Sequence, residues 1–155
     1  NKEYNDLGKH PFYVDWVTTS YLEKWEEDIN SIKFVGNNQF DNGIHIKRTI
    51  EYYFQNQVFV ITDNVSGNIN ENDSIKSNWL LHKDIDLDMD KKRNNFLSNG
   101  IHFTFDQAQE CKIINGYYSP QYGIKEKTQA ITSSFSRDTN GEYYSKLVIS
   151  KNNKS

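Results

Sequence analysis

Residues 43–50 read GIHIKRTI, residues 58–67 read VFVITDNVSG, and the polar pair Gln55-Asn56 lies between them. A loop centred on that pair makes the two stretches a β-hairpin in which Arg48 lies opposite Asp63. A slip of one residue would move every apolar side chain to the other face, so the pattern fixes the register. The other predicted pairs are Ile46 with Val65, Ile50 with Ile61, Tyr52 with Phe59 and Phe54 with Gln57.

Arg48 and Asp63 are charged residues on an otherwise apolar face of this hairpin. An unpaired charge among apolar neighbours is very costly, and the forked guanidinium group suits a carboxylate. We therefore interpret them as a structural ion pair rather than as catalytic residues. Replacing either one with Ala should cost on the order of 3 kcal/mol, because its partner would stay buried and unpaired. The double replacement should cost less than the sum.

Short strand-like segments recur on both sides of the hairpin, separated by turn clusters. Many short strands with few helical patterns are typical of a sandwich or barrel. We expect an all-β fold, an antiparallel β-sandwich of two packed sheets. For residues 20–29 a helical turn is an equally good alternative, because Tyr21, Leu22 and Trp25 would share a helical face. The predicted strands are 12–18, 30–36, 44–54, 57–65, 76–82, 84–89, 100–106, 110–115, 128–136 and 143–150, and the turn clusters include Gly36-Asn37-Asn38 and Asn94-Asn95.

The composition supports a folded β-domain. Aromatic residues make up 14% of the 155 residues, although the mean hydropathy is −0.84. A disordered chain would be poor in aromatics, whereas half-buried pleated surfaces favour them. We assign residues 1–150 to a single β-sandwich domain and residues 151–155 to a polar tail. The chain opens on Asn1 and its only methionine is Met89, so we expect a piece of a larger protein.

Charge and cysteine content disfavour several classes of protein. The net charge is −3 and the Lys and Arg residues are scattered, so the sequence predicts no nucleic-acid partner. It contains no secretory apolar region and no long apolar run, so it predicts neither a signal peptide nor a membrane span. Cys111 is the only cysteine, which excludes an internal disulfide and a cysteine-based metal site.

A metal site within the chain has little support. The acids of residues 84–90 have the spacing that begins a calcium loop, but Met89 and Asn95 occupy the places where that loop needs Gly and Glu. Because these acids alternate with apolar residues, they favour a strand with one solvated face. The four histidines show no zinc-binding spacing. We therefore predict no metal site and no cofactor within this chain.

Candidate functional residues are few. No Gly-x-Ser-x-Gly elbow, P-loop or dinucleotide fingerprint occurs. We assign no catalytic residue. His82 is the best-placed candidate because it follows the end of a predicted strand, although a surface or hydrogen-bonded histidine is the commoner case. Aromatic side chains can stack on the apolar faces of sugars, and packing within the domain is the alternative. The substrate-binding candidates are Trp79, Tyr117, Tyr118 and Tyr122.

The order of motifs resembles the C-terminal β-sandwich domain of heparinase II/III-like polysaccharide lyases. That family carries a Gly-x-x-His-x-Arg-like strand, an apolar strand ending in Asp, a Gly turn, a Trp/Leu/His strand and a Ser-x-x-Tyr-Gly-x-Lys segment. The likeness covers most of residues 10–150. The matching residues are His45 to Ile50, Asp63, Gly67, Trp79 to His82 and Ser119 to Lys125, and His10-Pro11-Phe12 is an imperfect match to the family's Gly-x-Phe stretch.

The resemblance implies the later part of a lyase-type supersandwich, which in the whole enzyme follows an α-helical toroid. In that family a Tyr and an Asn or His from the toroid, with a His from an early sandwich strand, carry out β-elimination of uronic-acid polysaccharides. Residues that match these roles do not occur in 1–155, so we expect the isolated chain to be inactive. The implied partners are an acidic polysaccharide and the upstream toroid of a bacterial parent, which could use a divalent metal. A secreted, periplasmic or cell-surface location follows from the resemblance alone.

A function from a different class stays open at this point. The alternative is a free-standing carbohydrate-binding or adhesin-type β-module without catalysis. The sequence that precedes Asn1 in the parent would separate the two, because a helical toroid with Tyr and His favours the lyase.

Overall fold

The structure, a computed structural model, describes residues 18–70, 73–90, 94–121, 123–135 and 137–151. These ranges form eleven strands in two antiparallel sheets, which confirms the predicted all-β sandwich. They contain no helix long and apolar enough to span a membrane. The strands are β1 Thr18–Glu27, β2 Ser31–Phe40, β3 Ile44–Tyr53, β4 Val58–Gly67, β5 Ile75–Leu80, β6 Asp88–Asp90, β7 Asn95–Ser98, β8 Ile101–Asp106, β9 Glu110–Tyr118, β10 Glu126–Phe135 and β11 Tyr143–Lys151.

The two sheets differ in size. The larger sheet has eight strands in the order β1-β2-β3-β4-β11-β8-β7-β6, and the smaller has three in the order β5-β10-β9. Strand β11 pairs with both β4 and β8, so it joins the two halves of the larger sheet. Strand β10 is the middle strand of the smaller sheet. Each of the two C-terminal strands thus lies inside one sheet, β11 in the larger and β10 in the smaller.

The core lies between the sheets and draws on both of them. Phe96 of β7 and Ile131 of β10 are each only 1% exposed, and Phe105 and Leu147 pack in the same cluster. The rings of Phe96 and Phe105 meet edge to face, with their centroids 5.8 Å apart. Such aromatic contacts explain how a chain of low hydropathy still forms a packed interior.

The central hairpin of β3 and β4 has the predicted register. Its ladder pairs Arg48 with Asp63, Ile46 with Val65, Ile50 with Ile61 and Tyr52 with Phe59. The predicted pair Phe54 and Gln57 is wrong, because the ladder ends at Tyr53 and Val58 and both residues lie in the turn. Gln57 adopts a φ of 52°, a left-handed conformation that is incompatible with continued strand pairing.

The helical alternative for residues 20–29 is wrong, since this segment is mostly strand β1. Its register shifts between Leu22 and Lys24, where a β-bulge inserts one extra residue. Leu22 therefore pairs with Gly36 and Trp25 with Phe34, two positions apart on β2, so both apolar residues face the same side. The bulge thus places Leu22 and Trp25, which are three residues apart, on one side of a strand. The same spacing places two residues on one face of a helix.

Other strand boundaries also differ from prediction. The supposed turn at Gly36-Asn37-Asn38 lies inside β2, where the ring of Phe34 packs over Gly36 and a Cβ there would lie 2.9 Å from that ring. Residues 84–87 are not strand, yet Ile85 and Leu87 pack against the core while the intervening acids are exposed, so the alternation in burial is present. Strand β7 was not predicted. The predicted strand 12–18 lies outside the described residues except for Thr18, and the predicted tail begins with Lys151, the last residue of β11.

Gly67 ends β4 at a position where a larger residue would force the backbone to move. Its φ is +101°, and a Cβ there would clash with the carbonyl oxygen of Gly43. Gly100 is the matched control, because its φ is +77° but a Cβ there would have no atom within 4 Å. Gly100→Ala should cost about 1 kcal/mol from backbone strain alone. Gly67→Ala should cost at least about 1 kcal/mol more, because the hairpin end must also move. Equal costs in urea denaturation would show that the close approach is unimportant.

Candidate functional site

Five polar side chains come together where β5 and β9 end and β10 begins. Tyr118 pairs with Glu126 across the ladder, and its hydroxyl donates to Glu126 Oε2 at 3.1 Å. Lys83 Nζ lies 2.9 Å from the same oxygen. The rings of His82 and Tyr118 lie 5.7 Å apart, and Asp84 lies beside His82. We call these five residues the sheet-end cluster.

The charges of this cluster stabilise one another. The hydrogen bond from Lys83, followed by the one from Tyr118, lowers the pKa of Glu126 below its ordinary value. The Glu126 carboxylate in turn raises the pKa of Lys83. Loss of solvation first, and then the bond to Glu126, raise the pKa of Tyr118. Each shift favours the form already present near pH 7, so none of these three groups is prepared to exchange a proton there.

His82, the candidate for catalysis, has an exposed position in this cluster. Its side chain is 57% exposed, and Nδ1 lies 3.3 Å from Asp84 Oδ2. The backbone N–H of Asp84 also lies 3.4 Å from Nδ1. A single ring nitrogen cannot accept from the amide and donate to the carboxylate at once, so only one of the two contacts is a hydrogen bond in any one tautomer. A catalytic role for His82 stays a prediction.

The structure separates the aromatic residues that were predicted to bind substrate. Trp79 pairs with Ile131 and packs against the core between the two sheets. The Arg48 guanidinium carbon lies 5.1 Å from the centroid of the Trp79 ring. Tyr117 and Tyr118 are consecutive residues of β9 and so point to opposite faces. Tyr122 lies outside the described residues. The three described side chains, those of Trp79, Tyr117 and Tyr118, therefore do not form a shared stacking surface, and the roles of all four residues in binding stay predictions.

Arg48 and Asp63 form a two-pronged ion pair between the sheets. Arg48 Nε donates to Asp63 Oδ1 at 2.6 Å and Nη2 donates to Oδ2 at 2.8 Å. These hydrogen bonds raise the pKa of Arg48. Asp63 is only 7% exposed, and a cleft of about 300 Å³ opens beside the pair. Because both carboxylate oxygens are occupied, the geometry agrees with the structural interpretation.

Two other kinds of site receive no support from the described ranges. In them, no three His, Cys, Asp or Glu side chains come together as ligands for a metal. The Cys111 thiol is buried, which is the main cause that raises its pKa to about 11, with a smaller contribution from Glu110. A thiol with this pKa stays protonated near neutral pH and is a poor nucleophile. Whether the parent uses a metal stays a prediction.

Sequence reasoning missed Lys83 and Glu126. Lys83 lies in the turn after β5 and Glu126 begins β10, so the two are far apart in sequence, and neither belongs to a motif. The pairing of Tyr118 with Glu126 could have been found, because the turn residues Pro120 and Gly123 lie between them. A hairpin drawn around that turn places the phenol opposite the carboxylate.

The charge coupling in the cluster can be measured directly. In a carbon-detected NMR titration, the Glu126 carboxyl group should titrate below the ordinary range of a glutamate, and Lys83→Gln should move its pKa upward. Because the pKa of Glu126 is lowered in the folded state, its interactions stabilise the fold above the ordinary pKa of a glutamate. This stabilisation is lost as the pH falls through the lowered pKa. Lys112→Gln, on β9 beside Glu110, is the control. An unchanged Glu126 titration in Lys83→Gln would contradict the assigned cause.

Comparisons with known proteins agree with this fold. Residues 12–150 match the family described as "Heparinase II/III-like, C-terminal". No curated protein matches the chain in sequence. Among solved structures, a heparinase III gene product is similar with a TM-score of 0.72 and 18% identity, over 84% of this chain and 21% of its own. A crystal structure of heparinase III gives 0.70 and 21%, over 88% and 22%. The heparan sulfate lyase HepC of Pedobacter heparinus gives 0.68 and 16%, over 88% and 22%.

The solved structures extend far beyond the chain, whereas the family match covers most of it. The chain spans about a fifth of the length of the solved structures, 21% in the case of the heparinase III gene product. At sequence identities this low, the structural similarity of these proteins to the chain shows a shared fold alone. The family match, in contrast, extends over residues 12–150. The chain therefore belongs to the heparinase II/III-like C-terminal family and has the β-sandwich fold of that domain.

Proposed function

We propose that this chain is the C-terminal β-sandwich domain of a polysaccharide lyase. In the full-length enzyme it would support β-elimination of a polysaccharide that contains uronic acid. The observation that carries this proposal is the family match over residues 12–150, which agrees with the similarity of the fold to heparinase III. The partners in this proposal are the acidic polysaccharide and an α-helical toroid domain upstream in the same parent.

The chemistry supports placing the reacting groups elsewhere in the parent. β-Elimination needs a group that neutralises the uronate carboxylate, a base for the C5 proton and an acid for the leaving oxygen. In the described ranges, the sheet-end cluster contains a phenol, whose pKa is raised mainly by loss of solvation, and a carboxylate, whose pKa is lowered by its hydrogen bonds, so both pKa values lie further from neutral pH than usual. The thiol of Cys111 is buried and protonated. This domain is thus suited to supporting and binding rather than to proton transfer.

The experiment is an assay of the full-length parent on a panel of acidic polysaccharides. Heparan sulfate, hyaluronan and alginate are incubated with the enzyme, and absorbance reports the double bond of an unsaturated uronate. The proposal predicts unsaturated products from at least one of them. Release of reducing ends without unsaturation would indicate a hydrolase and would contradict it. Tight binding without cleavage would favour the non-catalytic carbohydrate-binding module instead.

A further inference from the structure

A pair of lysines flanks an exposed tyrosine beside the sheet-end cluster. Tyr117 of the edge strand β9 pairs with Lys127 of β10, so the two side chains share one face. Lys125 Nζ lies 4.1 Å from the centroid of the Tyr117 ring. Tyr117 is 49% exposed, and both lysines are exposed. We call these three residues the lysine–tyrosine site.

The two ammonium groups of this site lack carboxylate partners within the described residues. The nearest acid in sequence is Glu126, which lies between the two lysines and points to the opposite face of β10. Its carboxylate is already bound to Lys83 and to the Tyr118 hydroxyl. The chain has a net charge of −3, yet this corner presents two cations that no acid of the described ranges pairs with.

The loop that carries Lys125 is held in place by its own hydrogen bonds. The Ser119 hydroxyl lies 2.8 Å from the carbonyl oxygen of Gln121 and 2.6 Å from that of Ile124. The backbone N–H of Ile124 donates to the same Gln121 carbonyl at 3.1 Å. This turn brings Lys125 back over Tyr117, and a shallow open cavity of about 410 Å³ lies beside it. The cation–π contact restricts the ammonium group before any ligand arrives, which lowers the entropy cost of binding.

We propose that the lysine–tyrosine site binds an acidic saccharide. The ammonium groups of Lys125 and Lys127 would meet carboxylates or sulfates of the sugar chain, and Tyr117 would position Lys125. Ammonium groups bind such anions through charge-assisted hydrogen bonds. This inference rests on the proposed function, because it names a surface by which the domain would hold the polysaccharide.

Binding is tested with the 155-residue chain and three oligosaccharide probes. They are a heparan sulfate hexasaccharide, an unsulfated oligoguluronate and the neutral cellohexaose. The first two separate sulfate from carboxylate recognition. At least one acidic probe should bind and cellohexaose should not, with affinity falling as salt rises because the charges are exposed. Lys125→Gln and Lys127→Gln should each weaken binding about fivefold, in line with exposed charged contacts.

The control variant is Lys112→Gln, which removes the same charge from the far end of β9 and should leave the affinity unchanged. Tyr117→Phe should keep most of the affinity because it keeps the ring, whereas Tyr117→Leu should lose about as much as Lys125→Gln. Equal losses for Lys112→Gln and Lys125→Gln would overturn the site as non-specific charge attraction. Failure of both acidic probes to bind would overturn it as well.

The lyase proposal and this site can fail separately. If the parent releases unsaturated uronate and the Lys125→Gln, Lys127→Gln double variant keeps its KM, the site is wrong and the lyase proposal stands. If the isolated chain binds acidic probes through these lysines but the parent yields no unsaturated product, the site stands and the lyase proposal is wrong.

Discussion

Replacing Arg48 with Ala is expected to lower the free energy of unfolding by about 3 kcal/mol. The reason is the state in which the change leaves Asp63. That carboxylate is only 7% exposed, and both of its oxygens accept hydrogen bonds from Arg48. Without the guanidinium group, a buried charge would remain with neither its partner nor free access to water.

The reverse substitution should cost less. The Arg48 side chain is 45% exposed and its guanidinium group also lies over the Trp79 ring. In Asp63→Ala it can therefore reach water and keep its aromatic contact, so we expect a cost of about 1–2 kcal/mol. The sequence alone predicts similar costs for the two changes, whereas the difference in burial makes them unequal. The double variant should cost less than the sum, because the second change removes the charge that the first left unpaired.

Urea denaturation of the three variants measures these costs, with Lys47→Ala as the matched control. Lys47 neighbours Arg48 on the same strand and pairs with Glu23 at 2.7 Å, but both of those side chains are well exposed. An exposed pair is worth at most about 1 kcal/mol. Strictly additive costs for Arg48→Ala and Asp63→Ala, or a cost for Arg48→Ala no larger than for Lys47→Ala, would refute the structural role of the pair.

The sequence predicted the fold best where its apolar pattern was regular. The hairpin of β3 and β4 has a period of two on both strands, so only one register buries its apolar face. The all-β class also followed, because many short segments were separated by turn residues. Both inferences depend on local pattern, which a single sequence contains.

Prediction failed where tertiary contacts override local preference. Gly36-Asn37-Asn38 reads as a turn, but Phe34 covers Gly36 and the flanking strands pair with the whole segment. The bulge after Leu22 broke the period of two in β1. A bulge, and the pairing of a segment with strands on both sides, depend on the partner strands, so neither can be read from the segment itself.

The candidate site was harder to predict than the fold. His82 was selected as a candidate because it follows a predicted strand, and Tyr117 and Tyr118 because aromatic rings can stack on sugars. The contact of Lys83 with Glu126 joins the turn after β5 to the start of β10, and only the sheet order β5-β10-β9 brings these two places together. The approach of Lys125 to Tyr117 depends on the conformation of the turn between them. Such non-local contacts require the topology, which residue types alone do not specify.

The second large effect concerns activity, since the isolated chain is expected to release no unsaturated uronate at all. Proximity and alignment of acid and base supply much of the rate of such a reaction. Within the described ranges, the raised pKa of Tyr118 and the lowered pKa of Glu126 both lie further from neutral pH than usual, which makes these two groups poorer at acid–base catalysis there. The chain should nevertheless fold, because a packed hydrophobic core lies between its two sheets.

The most direct test compares the 155-residue chain with its full-length parent in the absorbance assay for unsaturated uronate. Both proteins receive the same molar concentration and the same polysaccharide, and circular dichroism confirms that the isolated chain has a β-rich fold. We expect steady turnover by the parent and none by the chain. Turnover by the isolated chain that disappears on His82→Ala would contradict this expectation, because it would place the catalytic centre in the sheet-end cluster.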